Sequence, residues 1–322
     1  MQFKRKFCNV LAAACLGLIP LLEVENSQIP GYDDGNHAFD YNRLRAQIRL
    51  GFDCYPDFSA TVAVDNESWY RSAPGSLENR SSIYRAYVEY QGESHSLVLG
   101  KQRVPLGVGR FWNPVDVFNP IDIEAVEPEE RPGTETIRYE YALNALSGFD
   151  VNLARKKGAV RIKGYLDFAD IALLGIWDDA RGYDITGWEL EGELGSTGVE
   201  LRSEGGIFHN HQSGERHTEF IVGAEYGFAN SLTISTEYYA SNGAAGDALG
   251  TAVQFRPAML LSCSVTTVFS FDDSSGFVSP VLEYSLSDEM TLSAGLFHYF
   301  GAEDSLYGAD YDRLYLRWFI HF

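Results

Sequence analysis

The sequence predicts an all-β protein, a single antiparallel up-and-down barrel of about 18 strands, with about 16 as the alternative. Three observations carry this. Apolar and polar residues alternate with period two through most of the chain. Short connections alternate with longer Gly- and Asp-rich ones. The last segment, DRLYLRWFIHF, sets Leu314, Leu316, Trp318, Ile320 and Phe322 on one face against Arg313, Tyr315, Arg317 and His321.

Composition limits the alternatives. The chain has 322 residues, 14% aromatic, with 31 Gly and only 3 Met, and a mean hydropathy of -0.17. No stretch beyond the N-terminus reaches the roughly 20 apolar residues of a membrane helix. A membrane barrel stays open as a reading, because alternation hides the apolarity of its strands. The net charge of -20 argues against nucleic acid as a partner. That charge is uneven: 19 Lys and Arg stand against 21 Asp and Glu through Lys163, and 6 against 24 beyond it.

In chain order, Lys4, Arg5 and Lys6 precede an apolar run from Phe7 to Leu22, which reads as an export signal over 1–21. The cleavage position is open, and Leu11–Cys15 resembles a lipoprotein site only faintly. The barrel then occupies 22–322. The first clear strand, RLRAQIRLGF, sets Leu44, Ala46, Ile48, Leu50 and Phe52 against Arg43, Arg45, Gln47 and Arg49. WELEGEL, VELRSE, FIVGAEYGF and LTISTEY repeat the pattern with glutamates on the polar face. Seventeen segments alternate clearly, and bacterial barrels have even strand numbers. An ascending strand must therefore precede 41–53, and the room for it lies near Leu22–Gln28. If 22–28 and 250–256 merge or drop out, 16 remain. The longer connections are read at 66–80, 104–133, 208–216, 241–249 and 301–310. Cys54 and Cys263, in no CxxC spacing, are expected simply to be packed.

The 104–133 connection is the third on the long-loop rim. Its Asn-Pro turns stiffen it, and Trp112, Val117, Phe118 and Ile121 need burial. Asp116, Asp122, Glu124, Glu127, Glu129 and Glu130 make it acidic. Strand parity lists Arg43, Arg45, Arg49, Arg85, Arg138, Arg161 and Lys163 as facing inward from the first half, with Lys101 and Arg103 where a strand enters the loop. Glu189, Glu191, Glu193, Glu200, Glu204, Glu225, Glu237 and Glu283 face inward from the second half. A basic wall opposite an acidic one would impose a transverse field on a pore. The narrowest point is expected between Arg43/Arg45/Arg49 and the acids of 116–130, with Arg110 and Trp112 nearby.

The whole pattern resembles Gram-negative outer-membrane porins, whose third extracellular loop folds into the channel. Phe322, with Ile320 and Trp318, resembles their C-terminal assembly signal. QRVPLGVGRFWNPVDVFNP is similar to a loop signature of a poorly characterised porin-like family. The resemblance implies a multi-pass barrel in the cell outer membrane, with lipid around it, small hydrophilic solutes or ions as cargo, and a homotrimer as its assembly. It implies no cofactor. Two other readings stay open: a barrel that sheathes a partner such as a cytochrome, and an enzyme at the rim. For the enzyme, His209, His211 and His217 are the candidates; no carboxylate or cysteine sits at a compelling metal-ligand spacing from them, and the Ser, Thr and Asp found on every strand single out no triad. No catalytic or metal-binding residue is assigned.

Overall fold

The computed structural model describes residues 18–33, 37–52, 55–73, 75–243, 246–308 and 312–322. The descending and ascending strands follow in chain order: β1 (Leu18–Asp33), β2 (Ala38–Phe52), β3 (Phe58–Arg71), β4 (Ser76–Gln91), β5 (His95–Gln102) and β6 (Thr134–Asn144). Then come β7 (Ser147–Leu153), β8 (Lys157–Leu166), β9 (Ala169–Asp178), β10 (Tyr183–Glu193), β11 (Val199–Asn210) and β12 (Arg216–Gly227). The last six are β13 (Leu232–Ser241), β14 (Ala248–Ala258), β15 (Leu261–Ser270), β16 (Gly276–Ser287), β17 (Met290–Phe300) and β18 (Arg313–His321). Each pairs antiparallel with the next, and β1 pairs with both β2 and β18, so the sheet of 18 strands closes. Beyond β18, Phe322 exchanges both backbone hydrogen bonds with Val24, at 2.7 and 3.2 Å.

Both weak segments are strands. β1 opens at Leu18, so 18–21, assigned to the export signal by the sequence, pair with 49–52. Residues 1–17 and Cys54 lie outside the described residues; Cys263 is a half-buried free thiol.

Burial runs opposite to that of a soluble protein. On β2, Leu44 and Ile48 are 46% and 44% exposed, while Arg43 and Arg45 are 4% and 6% exposed. The same inversion holds on β8 and β9, where Ile162 and Leu173 are exposed and Arg161 is buried. The leucine-bearing face therefore points out and the charged face in. An outer surface of this kind is stable only against an apolar medium. Leu314, Leu316, Trp318, Ile320 and Phe322 share the outward face, as the register of β18 with Tyr32, Gln28 and Asn26 requires.

One expected long loop is absent. The connection at 66–80 shrinks to 72–75, because β3 and β4 continue upward. Their outward polar side chains pair across the strands, Asn66 Nδ2 to Ser81 Oγ at 2.9 Å and Ser68 Oγ to Asn79 Oδ1 at 2.7 Å. Such pairs stabilise a sheet above an apolar belt, whereas their composition alone reads as loop. The 103–133 connection is thereby left as much the longest on its rim, with 301–312 next.

The wall is uneven in height. β5 pairs with β4 only up to Ala86↔Lys101, so Ser76–Arg85 bonds to β3 alone and its other edge is free. A bulge at this level inserts Tyr84 between Ile83 and Arg85, bringing Tyr84 and Arg85 both to the inner side, where each ring or guanidinium meets its neighbour. Lys101 donates from Nζ to Ile83 O at 2.5 Å, across the end of the ladder.

Replacing Ile162 by Arg should destabilise the barrel in a lipid bilayer by about 2–4 kcal/mol. Lys163→Arg, on the inward face beside Asp150, should cost far less. Urea titration of protein refolded into vesicles measures both.

Candidate functional site

The segment 103–133 contains five prolines and no strand or helix, yet many of its backbone groups are bonded to side chains. Asp116 Oδ1 accepts the amides of Phe118 and Asn119 at 3.0 and 2.8 Å. Asn119, from the second Asn-Pro turn, clasps the two ends of the segment. Its Oδ1 accepts Val104 N at 2.7 Å and its Nδ2 donates to Pro132 O at 2.6 Å. Asn is suited to this because one side chain supplies both an acceptor and donors.

The first half is held by carboxylates of the barrel wall. Glu204 on β11 accepts Gly109 N at 2.8 Å, Val108 N, and Asn113 Nδ2 at 3.2 Å. Glu237 on β13 accepts Arg110 N at 2.9 Å, Phe111 N at 3.1 Å and Trp112 N at 2.9 Å. Glu189 on β10 accepts Gly107 N at 2.7 Å. Consecutive amides converging on a carboxylate form a concave anion-binding backbone, here filled by the protein's own acids. Gly107 is required for it: φ is +83°, and a Cβ would lie 2.5 Å from Glu204 Oε2. At Gly109 a Cβ would lie 1.8 Å from Trp112 O. Gly107 therefore serves close approach to the wall glutamates, and Gly109 the tight return of the loop onto its own Trp112 carbonyl.

The second half reverses the arrangement, with loop carboxylates on wall arginines. Glu127 meets Arg43 at 3.0 Å and Arg317 at 2.7 Å, and accepts Ser27 Oγ at 3.1 Å. Glu130 meets Arg45 at 2.8 Å, and Arg45 also binds Asp65 at 2.7 Å. Arg85 donates to Arg131 O at 2.7 Å and Arg313 to Glu124 O at 3.2 Å. Apolar contacts also fall into two groups, though Phe111 and Trp112 of the first half join the second. Val104, Leu106, Val115, Val117 and Phe118 pack on inward residues of β8–β11, among them Leu174, Ile176 and Ile185. Phe111, Trp112, Ile123 and Val126 pack among the inward aromatics Tyr41, Phe277, Phe297 and Tyr315.

The expected site residues divide accordingly. Arg43, Arg45, Arg85 and Glu127 come together. The opening expected between the arginines and the loop acids is closed by their direct contact. Arg49 faces inward opposite Thr61, but is exposed and makes no ion pair among the described residues. Lys101 is corrected: its register with Ala86 and Glu135 puts it on the outward face with Leu97 and Leu99, and it reaches only the margin of the interior. Arg103 is buried at Nε without a partner. Arg110 lies on the acidic wall, 3.4 Å from both Glu191 and Glu200. Trp112 stacks near Tyr239, with centroids 5.7 Å apart. Asp122 is exposed and accepts Glu124 N at 3.1 Å.

The acidic wall is not bare either. Arg202, 1% exposed, binds Glu200 at 2.6 Å and Glu225 at 3.1 Å. Arg161 joins Asp150 at 2.8 Å to Glu189 at 3.3 Å. The anchoring roles of Glu204, Glu237, Glu130, Arg313 and Arg317 were missed. Parity placed the first two inward, but nothing local says which glutamates meet amides. For Arg313 and Arg317 the alternation of the last strand carried the signal. The histidines lie apart in function: His211 meets Asp184 and His217 meets Glu219, each at 3.1 Å. Among the described residues no group of three or more His, Cys, Asp or Glu is arranged to hold a metal.

Within the loop, burial pushes the Asp116 carboxyl up to about 6, against the pull of its two backbone donors and of Arg131. Burial alone would also raise Glu130, but Arg43 and Arg45 outweigh it and hold the carboxyl below its usual range. Burial lowers the Arg131 guanidinium, with the charge of Arg103 second.

Solved structures share this architecture. Pseudomonas aeruginosa OccK5 (OpdH) superposes with a TM-score of 0.68 at 9% identity, covering 94% of this chain and 97% of that one. The fold is that of solved porins. P. aeruginosa OccD3 (OpdP) gives 0.62 at 10% identity over 94% and 91%. A triple mutant of Rhodopseudomonas blastica porin gives 0.56 at 10% identity over 94% and 100%. No protein-family profile matches the chain, and no curated protein matches it by sequence.

Two outcomes follow. Glu237→Ala leaves three loop amides without an acceptor, at roughly 1–3 kcal/mol for each buried group. Trypsin should then cut at Arg110, which the parent protein should protect; Glu237→Gln, which keeps an acceptor, should be intermediate. Asp116 is raised, so its stabilising contribution is complete below its unfolded value near 4 and is lost as pH rises through about 6. The stability of Asp116→Asn relative to the parent should therefore improve by up to about 3 kcal/mol between pH 4 and 7. Denaturant midpoints at the two pH values test this.

Proposed function

We propose that this protein is an outer-membrane porin, passing small hydrophilic solutes or ions by diffusion through an interior narrowed by residues 103–133. One observation carries the reading: the same connection bonds to β10, β11 and β13 through wall glutamates and to β2 and β18 through wall arginines. These strand groups stand on opposite sides of a closed cylinder of 18, so the connection crosses the lumen. The polar inner face accommodates water, and the mixed charges at the edge of the loop sort ions.

The density of these bonds favours a second reading, in which the loop is a fixed plug and the barrel a scaffold. Single-channel recording of refolded protein in a planar bilayer separates the two. A porin gives discrete steps, and deleting 112–130 raises their conductance. A plug gives a silent barrel until the loop is removed. Changing Arg43 and Arg45 together to Gln removes both ion-pair partners of Glu130 and leaves Glu127 with Arg317, and should move the reversal potential in a salt gradient towards cation preference.

A further inference from the structure

On the tall side of the barrel, above the second half of the loop, lies a cavity of about 980 Å³. Its wall is the inner face of one continuous arc of strands, β17, β18, β1, β2, β3 and β4, and the loop closes it with Asp122, Glu124–Glu127 and Glu130. The size is at the upper end of small-molecule sites. Two features define its chemistry.

The first is an aromatic platform. Tyr41 and Trp69 are register partners on adjacent strands, with ring centroids 4.3 Å apart. Tyr41 is 8% exposed and donates its hydroxyl to Glu67 at 2.7 Å, whereas Trp69 is 42% exposed. The fixed tyrosine thus backs an indole whose other side is open. Trp69 faces inward, on the side of Asp65 and Glu67, so the lipid boundary does not account for it. Indole exposed to water inside a polar cavity is costly unless something covers it.

The second is charge balance. Six Lys or Arg and seven Asp or Glu line the cavity, and the buried ones are already paired with each other through Arg43, Arg45, Asp65, Glu127 and Glu130. A solute of either sign gains little net attraction and must compete with these pairs. Uncommitted donors remain at the rim: Arg71 and Arg80 make no ion pair among the described residues, and Arg80 stands opposite Glu67 in the register. An aromatic face beside a fringe of donors and acceptors, with charges that nearly balance, suits a neutral ring that has an apolar face and a circumference of hydroxyls.

We infer that this cavity is a binding site for neutral saccharides, with the sugar ring stacked on Trp69 and its hydroxyls bonded to Arg80, Arg71 and Glu67. The site rests on the porin reading for its purpose, since it would load cargo at the mouth of the channel, but its occupancy is measurable without transport.

The test is isothermal titration calorimetry on the full chain refolded in detergent, with maltose, trehalose and cellobiose against glucuronate, benzoate and lysine. At least one neutral disaccharide should bind. Trp69→Ala should weaken it roughly tenfold, Trp69→Phe should retain most of the affinity, and Arg80→Gln, at an exposed position, should weaken it with the barrel intact. The inference is overturned if no neutral sugar binds the folded barrel, if only the charged or aromatic probes bind, or if Trp69→Ala leaves the affinity unchanged. Channel steps without sugar binding would sink this site and leave the porin standing; sugar binding by a silent barrel would do the reverse.

Discussion

Everything in this structure depends on the closure of one hydrogen-bond ladder. A strand whose outer face is leucine and valine, and so lies against lipid, finds no water there to bond the backbone groups of an open edge. The only complete solution for a meander is to bring the last strand back to the first. The pairing of β1 with β18, extended by the Phe322–Val24 exchange, achieves it. Closure then fixes the sidedness of every residue, because period two leaves no freedom once one strand is oriented. Charged residues must go inside, and a crowd of inward charges needs partners.

The long connection supplies them, sorted by sign. Its glycine-rich beginning offers amides to the wall that holds glutamates, and its acidic end offers carboxylates to the wall that holds arginines. The two attachments differ in kind. Amide–carboxylate bonds form through the backbone and are set by the conformation of 107–112. The ion pairs of Glu127 and Glu130 hold through side chains at the end of flexible stems. The loop is in that sense stitched on one side and clipped on the other.

Much of this was legible in the chain. Alternation marked the strands, parity gave Arg43, Arg45 and Glu189 their side, and the parity of strand number demanded a strand before 41–53 that composition alone would have passed over. What stayed illegible was relational. Asn66, Ser68, Asn79 and Ser81 read as loop because their pairing across a hairpin is invisible in one segment. Lys101 shares the outward parity of Leu97 and Leu99, but its charge and its place at the mouth of the acidic loop point the other way. Nothing near the wall glutamates in the chain marks them as acceptors, since the amides they bind lie about a hundred residues away.

The uneven wall has its own consequence. Where β5 stops, Ser76–Arg85 is an edge strand in an otherwise edgeless sheet, with carbonyls and amides pointing to open space. Such an edge invites a foreign strand to add to it. Two side chains meet it in part: Lys101, turned outward at the top of the completed ladder, takes the Ile83 carbonyl, and Arg85 reaches that of Tyr84. A residue that reads as pore lining in the sequence thus serves as a substitute for the missing strand, supplying by side chain a donor that β5 is too short to supply by backbone.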